Sequence, residues 1–337
     1  MKTLKHATFS KIFLITSAII AVTALIFIYK GHYRQDFIRI DSISNVLKYT
    51  EKTDLVIFDI DWTLITNLSK DKAGNVIDWS DRSYFYALDK YVIDSMLQKH
   101  GLQIRQAVHQ AGVNTSDTRV NKTFSDYLIN VAFPANIFHQ YIAPHQISVP
   151  VENDTVSVLK KLQEQRVPVL LYTSRGWHDN VRTEKELTQA RIIINKDAIY
   201  NKQLTVEPQQ SMERGFGFAN GILYWIRNKS YTGPQDSSKG PVLLMFLDKI
   251  NYHPKKIVLV DDMKERITGL KLLLKAHGIN ATVLWYHGIE KRQKPIHELS
   301  KSDLQVLNSY LPKDWQHLAF DLQEAVNFIA NKLTGKK

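Results

Sequence analysis

The chain contains no cysteine. Its 337 residues therefore build no disulfide scaffold, no thiolate zinc or iron–sulfur site and no cysteine nucleophile. This absence leaves the compartment open, because a cysteine-free protein tolerates oxidising and reducing surroundings alike. Glycine and proline are modest, at 14 and 10 residues, which excludes collagenous and low-complexity chains. With 44% apolar and 23% charged residues, the chain has core-forming side chains enough for one large domain or two ordinary ones, and too many for wholesale disorder.

Acidic charge is in deficit, with 33 Asp and Glu against 44 Lys and Arg and a formal net charge of +11. The first fifty residues hold Lys2, Lys5, Lys11, Lys30, Arg34, Arg39 and Lys48 against Asp36 and Asp41 alone. The remaining excess is spread thinly, without a Lys/Arg block or an aromatic–basic repeat. Such a body attracts anionic substrates and membrane surfaces, and no nucleic-acid partner is expected.

One long hydrophobic run is present. Ile12 to Tyr29 passes 18 residues without a charge, flanked by Lys11 and Lys30. At 1.5 Å per residue it spans roughly 27 Å, close to the hydrocarbon thickness of a bilayer. A signal peptide cut near Val22-Thr23-Ala24 is one reading. The apolar run continues through Leu25-Ile26-Phe27-Ile28-Tyr29, longer than an export signal needs, so an uncleaved anchor within residues 1–35 is the expectation. Lys2, Lys5 and Lys11 balance Lys30, Arg34 and Arg39 under the positive-inside rule. The export-like layout places the tip in the cytoplasm and the body on the periplasmic or extracellular side, with secretion after cleavage as the alternative.

Beyond this segment, four short runs rich in Val, Ile and Leu stand out: Leu55–Ile60, Val167–Tyr172, Ile257–Val260 and Ala281–Tyr286. They are nearly continuous rather than alternating, as strands buried on both faces of a parallel sheet are. Helical patterns over Thr155–Gln165, Arg182–Ala190, Pro241–Ile250 and Lys264–His277 separate them. The alternation predicts an α/β fold with a doubly wound, Rossmann-like parallel sheet. Asp41 is placed to cap a short helix over Ser42–Tyr49. Residues 80–150 break the alternation and read as mostly helical, with Arg82–His100 and Asn121–Tyr141 the stronger stretches. Residues 200–236, with the strand-like Gly221-Ile222-Leu223-Tyr224-Trp225, read as a hairpin-bearing insertion. Insertions leaving the carboxyl ends of parallel strands are candidate lids, because ligands bind there.

The chemistry-bearing residues stand at those same strand ends. The first run leads into Asp59-Ile60-Asp61-Trp62-Thr63 and the second into Thr173-Ser174-Arg175-Gly176. Lys239 precedes the third, which ends in Asp261-Asp262. Taken singly, each has an ordinary structural reading as a turn, a helix cap or a solvated lysine. Adjacent acids after a buried strand are costly unless compensated, and a divalent cation would compensate them.

In this order, FDIDWTL, TSRG, NGIL…KG and VDD resemble the four motifs of the haloacid dehalogenase (HAD) superfamily, over residues 51–290. The string is most similar to a bacterial HAD-type family known only as a domain of unknown function, and more loosely to exported HAD-type acid phosphatases. The resemblance implies that Asp59 is a nucleophile attacking phosphorus and that Asp61 is the acid for the leaving group and then the base for water. It implies that Thr63, Thr173, Ser174 and Arg175 bind the phosphorylated substrate and that Lys239 neutralises charge. It also implies one Mg²⁺ held by Asp59, the Asp61 carbonyl and Asp261 and/or Asp262. Haloacid dehalogenases themselves lack the second Asp in this role, so Asp61 argues for phosphoryl transfer over carbon–halogen cleavage. Trp62 stands where relatives often have a small or polar residue, and Arg266 where they often have Asn, with Glu265 beside it.

The domain plan that follows assigns 36–79 to the start of the core, with a flap hairpin turning at Lys72-Ala73-Gly74-Asn75. It assigns 80–150 to a small helical cap and 151–337 to the rest of the core. Tyr84-Phe85-Tyr86 reads as cap packing. The expected function is a membrane-anchored, Mg²⁺-dependent phosphatase. A HAD-fold partner-binding module with vestigial activity and a phosphotransferase to an acceptor other than water are the alternatives.

Overall fold

The computed structural model describes residues 37–79, 83–128, 142, 145–195, 199–209, 211–228, 239–290, 298–313, 315 and 321–335. The apolar run 12–29 lies outside them, as do residues 129–141 of the expected second cap helix and the side chains of Tyr84, Phe85 and Tyr86. Among the described residues no helix is long and apolar enough to cross a membrane.

The strands are β1 (Ile38–Ile40), β2 (Leu55–Phe58), β3 (Ile65–Lys70), β4 (Val76–Asp78), β5 (Ile147–Pro150), β6 (Val169–Gly176), β7 (Leu204–Val206), β8 (Arg214–Ala219), β9 (Ile222–Arg227), β10 (Lys256–Asp261) and β11 (Asn280–Tyr286). Eight of them form one sheet in the order β1-β11-β10-β2-β6-β9-β8-β7. Pairing is parallel from β1 through β9 in that order, and β8 and β7 add antiparallel at one edge.

Alternate residues of the central strands feed two different cores. Val56, Phe58, Val169, Leu171, Val258 and Val260 face one side, with Val158, Leu159 and Leu162 of α3 (Thr155–Glu164) and Leu187 of α4 (Asn180–Gln189). Leu55, Ile57, Leu170, Tyr172, Ile257 and Leu259 face the other, with Val242, Leu243 and Phe246 of α5 (Gly240–Lys249) and Leu270 and Leu274 of α7 (Leu270–Ala276). Helices on both faces of a mostly parallel sheet make the doubly wound α/β fold that the apolar runs predict.

Several expectations change on inspection. Ser42 rather than Asp41 caps the first turn, a 3-10 helix over Ile43–Tyr49, because its side chain accepts from Ser44 N. The pattern over Lys264–His277 is broken into α6 (Lys264–Ile267) and α7 by Gly269, whose φ of 75° lies in the left-handed region that favours glycine. The hairpin within 200–236 is not an insertion above the sheet. Asn220 and Gly221, with φ of 52° and 78°, close a tight turn between β8 and β9, and β9 joins the main sheet beside β6.

A smaller sheet, β4-β3-β5, is antiparallel. Its β3–β4 hairpin turns at Lys72–Asn75, where the flap was expected. The helical segment between β4 and β5 is anchored at both ends in this sheet, since both strands pair with β3. It carries α1 (Ser83–Gln110) and α2 (Asp117–Tyr127). The assignment of the whole of 151–337 to the sheet core needs correction. Val306 and Leu307 of α8 (Lys301–Tyr310) and Ala325, Val326 and Ile329 of α9 (Leu322–Thr334) share one core with Val92, Met96, Ile104, Val120 and Phe124 of α1 and α2. Their amphipathic stripes are buried against α1 and α2 rather than the main sheet. Asn75 Nδ2 also donates to Gln305 at 3.3 Å, tying α8 to the flap turn.

Candidate active site

β2 is a fully buried strand, and its pairing with β10 continues one step further, as Asp59 N donates to Val260 O at 2.9 Å. The chain then leaves extended geometry. Leu64 N and Ile65 N both donate to Ile60 O, and Trp62 takes a φ of 58°. That turn lets Asp59 and Asp61 reach different partners above the strand ends. Trp62, the departure noted in the sequence, is fixed by its indole N–H donating to Trp79 O at 2.9 Å, which locks the turn to the flap.

Lys239 caps α5 by position but not by side chain, and Pro241 opens the helix. Its ammonium is instead sunk in the site at 1% exposure. It lies 2.5 Å from Asp59 Oδ1 and 2.8 Å from Asp261 Oδ2, and donates to Tyr172 O at 2.6 Å. Asp261 Oδ1 accepts from Met263 N at 2.8 Å, which orients the carboxyl. Thr63 Oγ1 is 3.5 Å from Asp59 Oδ2. Carboxylate oxygens of Asp59, Asp261 and Asp262 lie within 4.8 Å of one another, and all three residues are buried.

Burial pushes the Asp59 carboxyl up to about 7; Lys239 opposes that shift, and Asp261 and Asp61 add to it. Burial alone would lower the Lys239 ammonium, but Asp261 and Asp59 hold it above the ordinary lysine range. Lys239 is therefore a fixed positive charge between two acids.

The register of β6 against β9 shifts between Tyr172 and Gly176, and Thr173, Ser174 and Arg175 lie in that irregular stretch. Thr173 is fully buried, and its Oγ1 accepts from Arg175 N at 3.1 Å, so its own hydrogen remains available to an acceptor. Ser174 is half-buried at the strand end. Arg175 forks onto Asp61, with Nη2 at 2.6 Å from Oδ1 and Nε at 2.8 Å from Oδ2. Its Nη1 pairs with Glu186 Oε2 at 2.6 Å and donates to Thr183 Oγ1 at 3.1 Å. Burial would raise the Asp61 carboxyl, yet the charge and hydrogen bonds of Arg175 hold it below the ordinary carboxylate range. The guanidinium expected to meet substrate is thus held by two carboxylates of the protein itself.

The structure brings together all nine residues singled out in the sequence, in two clusters. Asp59, Thr63, Lys239, Asp261 and Asp262 form one; Asp61, Thr173, Ser174 and Arg175 form the other beside it. Glu265 is exposed on α6 and stands apart from the acidic triad. Glu186, Thr183 and the Tyr172 carbonyl complete the site, and sequence reading does not reach them. They act through contacts with residues distant in the chain, and no local spacing signals those contacts.

The doubly wound sheet carries an acid pair after its central strand, a buried lysine opening a flanking helix and two acids after the next strand, the arrangement that the resemblance to the HAD superfamily implies. Residues 121–318, more than half of the chain, match the family described as "Protein of unknown function (DUF2608)", and the chain belongs to that family. A protein of Chlamydia pneumoniae, provisionally named as an outer membrane protein, is 25% identical over 148 residues, which make up 44% of this chain and 48% of that protein. The match thus spans about half the length of that curated relative. Among solved structures, a protein provisionally described as a haloacid dehalogenase-like hydrolase from Bacteroides fragilis is similar over 70% of this chain and 98% of its own, at 12% identity and a TM-score of 0.31. A protein provisionally described as a β-phosphoglucomutase from Thermotoga maritima is similar over 84% and 100%, at 13% identity and a TM-score of 0.31.

Proposed function

We propose that the protein is a Mg²⁺-dependent phosphatase that works through an aspartyl-phosphate on Asp59. The observation that carries this reading is the buried triad of Asp59, Asp261 and Asp262 with a single lysine among them. Lys239 pairs with Asp59 and Asp261, and three carboxyl groups gathered in a buried place are costly to keep ionised together without a further cation. Oxygen donors of this kind suit a hard divalent cation, so the residues fit Mg²⁺, with the three carboxylates and the Asp61 carbonyl as its holders. When bound, the ion would neutralise charge on the phosphoryl oxygens.

The roles of the chain's own groups follow. Asp59 attacks phosphorus, the bond from phosphorus to the leaving oxygen breaks, and Lys239 screens the approach of one anion to another. Thr173, with its hydroxyl hydrogen uncommitted, donates to a phosphoryl oxygen. Asp61, held ionised by Arg175, is in the state that accepts a proton from the water attacking the acyl-phosphate. Donating a proton to the leaving oxygen in the first half requires that contact to loosen. The body is proposed to act on the exported side of a membrane, a reading supported by the uncharged run 12–29 and by the name of the Chlamydia relative.

The test is a phosphatase screen of the detergent-solubilised full chain, with and without Mg²⁺. Metal-dependent release of inorganic phosphate is the expected result. A fully folded protein that turns over no phosphomonoester, phosphoanhydride or acyl-phosphate in Mg²⁺ would leave only the partner-binding reading.

A further inference from the structure

The turn that presents Asp61 is held by side chains that lie well outside the site. Trp62 stands between Asp61 and Thr63, and its φ of 58° is in the left-handed region, which a bulky residue keeps only where its surroundings hold it. Trp62 N donates to Ile65 O at 2.8 Å, and the indole N–H donates to Trp79 O at 2.9 Å. Ile65 opens β3 and Trp79 follows β4, so both contacts run to the flap. A relaxed φ at Trp62 would swing Asp61 and Thr63 relative to each other. The placement of Asp61 over Asp59 therefore depends on where the flap holds Trp79.

Trp79 is fixed in turn from two directions. Its backbone N donates to Asn67 O at 2.9 Å, and its indole N–H donates to Ser69 Oγ at 2.8 Å. Trp79 is 2% exposed and Ser69 is fully buried, so water does not compete for that hydrogen bond. Beside Ser69, Lys70 ends β3, and both of its backbone groups meet one hydroxyl. Lys70 N donates to Tyr310 Oη at 3.1 Å, and Tyr310 Oη donates to Lys70 O. Tyr310 closes α8, and its ring stacks on His145, ahead of β5, at 5.1 Å. Gln305, also on α8, accepts from Asn75 in the flap turn. Hydrogen bonds thus link α8 to the end of β3, β3 to Trp79, and Trp79 to the turn that carries Asp61.

We propose that Trp62 and Trp79 are positioning residues for phosphoryl transfer, and that Tyr310 braces them through β3, so that the C-terminal helix α8 sets the geometry of Asp61. Each acts through the next: the Tyr310 hydroxyl fixes Lys70, Ser69 beside it fixes the Trp79 indole, and the Trp79 carbonyl fixes Trp62. A small displacement of a proton-transferring carboxyl is costly to a rate, which gives such a brace its effect. This inference rests on the phosphatase reading above for its effect on turnover, and the chain of contacts stands apart from that reading.

The experiment uses the detergent-solubilised full chain in Mg²⁺ with glycerol 2-phosphate, an alkyl phosphate whose leaving oxygen needs a proton. Trp62→Phe keeps an aromatic ring and removes the indole donor. Its kcat should fall about tenfold or more with KM little changed, because the groups that meet the phosphoryl oxygens are untouched. Ser69→Ala and Tyr310→Phe should lower kcat in the same way by less, and Tyr310→Phe least, since its contact with Lys70 is exposed to water. Added to Trp62→Phe, Tyr310→Phe should cost nothing further, as expected of residues that act through one contact. Val326→Ala opens a cavity in the core that α9 shares with α1 and α2 and removes no link of the chain. It should lower the melting temperature and leave kcat as it was. Nuclear magnetic resonance gives a readout free of turnover. The Trp62 indole N–H, assigned by its loss in Trp62→Phe, should exchange with solvent faster in Ser69→Ala and in Tyr310→Phe. Faster exchange in those variants of a protein that hydrolyses no phosphate would sink the phosphatase reading and keep the brace. Unchanged exchange, additive losses in the double variant, or a fall of kcat in Val326→Ala equal to that in Tyr310→Phe would overturn the brace and keep the phosphatase.

Discussion

At the scale of single residues, Asp59 and Asp61 are one residue apart yet carry opposite electrostatics, and their partners explain why. Asp59 is crowded by Asp261 and Asp61 in a buried setting that Lys239 only partly offsets, whereas Asp61 is gripped by a guanidinium through both oxygens. Asp59→Asn should abolish turnover, since an amide cannot form the acyl-phosphate, and it should leave the fold intact. Its melting temperature in chelator should change little, because the change is nearly isosteric and the loss of one partner of Lys239 is offset by relief of the crowding among the acids. Turnover near normal in this variant would dismiss the covalent route. Asp61→Asn should behave differently. With an aryl phosphate, whose leaving group departs without a proton, the first half-reaction should survive and phosphorylated Asp59 should accumulate. Mass spectrometry of the quenched enzyme reads this directly, and equal loss of rate for aryl and alkyl phosphates would contradict an acid role for Asp61.

Secondary-structure elements show what a sequence exposes and what it conceals. β2, β6 and β10 were legible because a strand buried on both faces needs apolar residues at every position, and the acids, threonine and lysine then fell at their ends. The ends of α1 were not legible. The helix runs on from His100 to Gln110 through a stretch whose stripe is dispersed, and its burial against α2 and α9 sustains it. The Arg175–Glu186 contact was equally hidden, because it forms only when β6 and α4 pack. The turn from α1 into α2 offers a local test. His109 sits in the last turn of α1, with its Nε2 at 3.1 Å from Asp117 Oδ1 and its Nδ1 at 3.1 Å from Val113 O. The hydrogen bond to Asp117 and the one to Val113 O raise its pKa above the ordinary 6.5. A raised folded-state pKa adds stability that is fully present below the unfolded value and is lost as pH rises through the folded one. The stability gap between the unsubstituted chain and Asp117→Asn should therefore be wider at pH 5.5 than at pH 8. NMR titration of the His109 ring should show its pKa falling in the variant, and an unchanged ring titration would mean that the contact does not exist in solution.

Over the whole molecule, two of the meetings between distant chain segments matter here: α8 and α9 close on α1 and α2, and β2 and β10 deliver three acids to one point. The second meeting stores repulsion that Lys239 relieves only in part. Mg²⁺ should relieve the rest and so raise the melting temperature of the whole protein. Mass action sets the size, since a ligand at about 100 times its Kd stabilises the folded state by about 2.7 kcal/mol. Both Asp261→Asn and Asp262→Asn should lose most of that shift, because each removes one of three carboxylates. They should differ in chelator. Asp262→Asn keeps Lys239 paired with both of its acids, whereas Asp261→Asn takes one away and leaves a buried ammonium with less compensation. Asp261→Asn should therefore melt lower than Asp262→Asn when no metal is present. Ca²⁺ serves as the comparison ion, since it takes a larger and more flexible set of oxygens than the tight octahedron that Mg²⁺ demands. Differential scanning calorimetry of the three proteins in chelator, Mg²⁺ and Ca²⁺ supplies every comparison. A Mg²⁺ shift of equal size in all three would detach the ion from this triad.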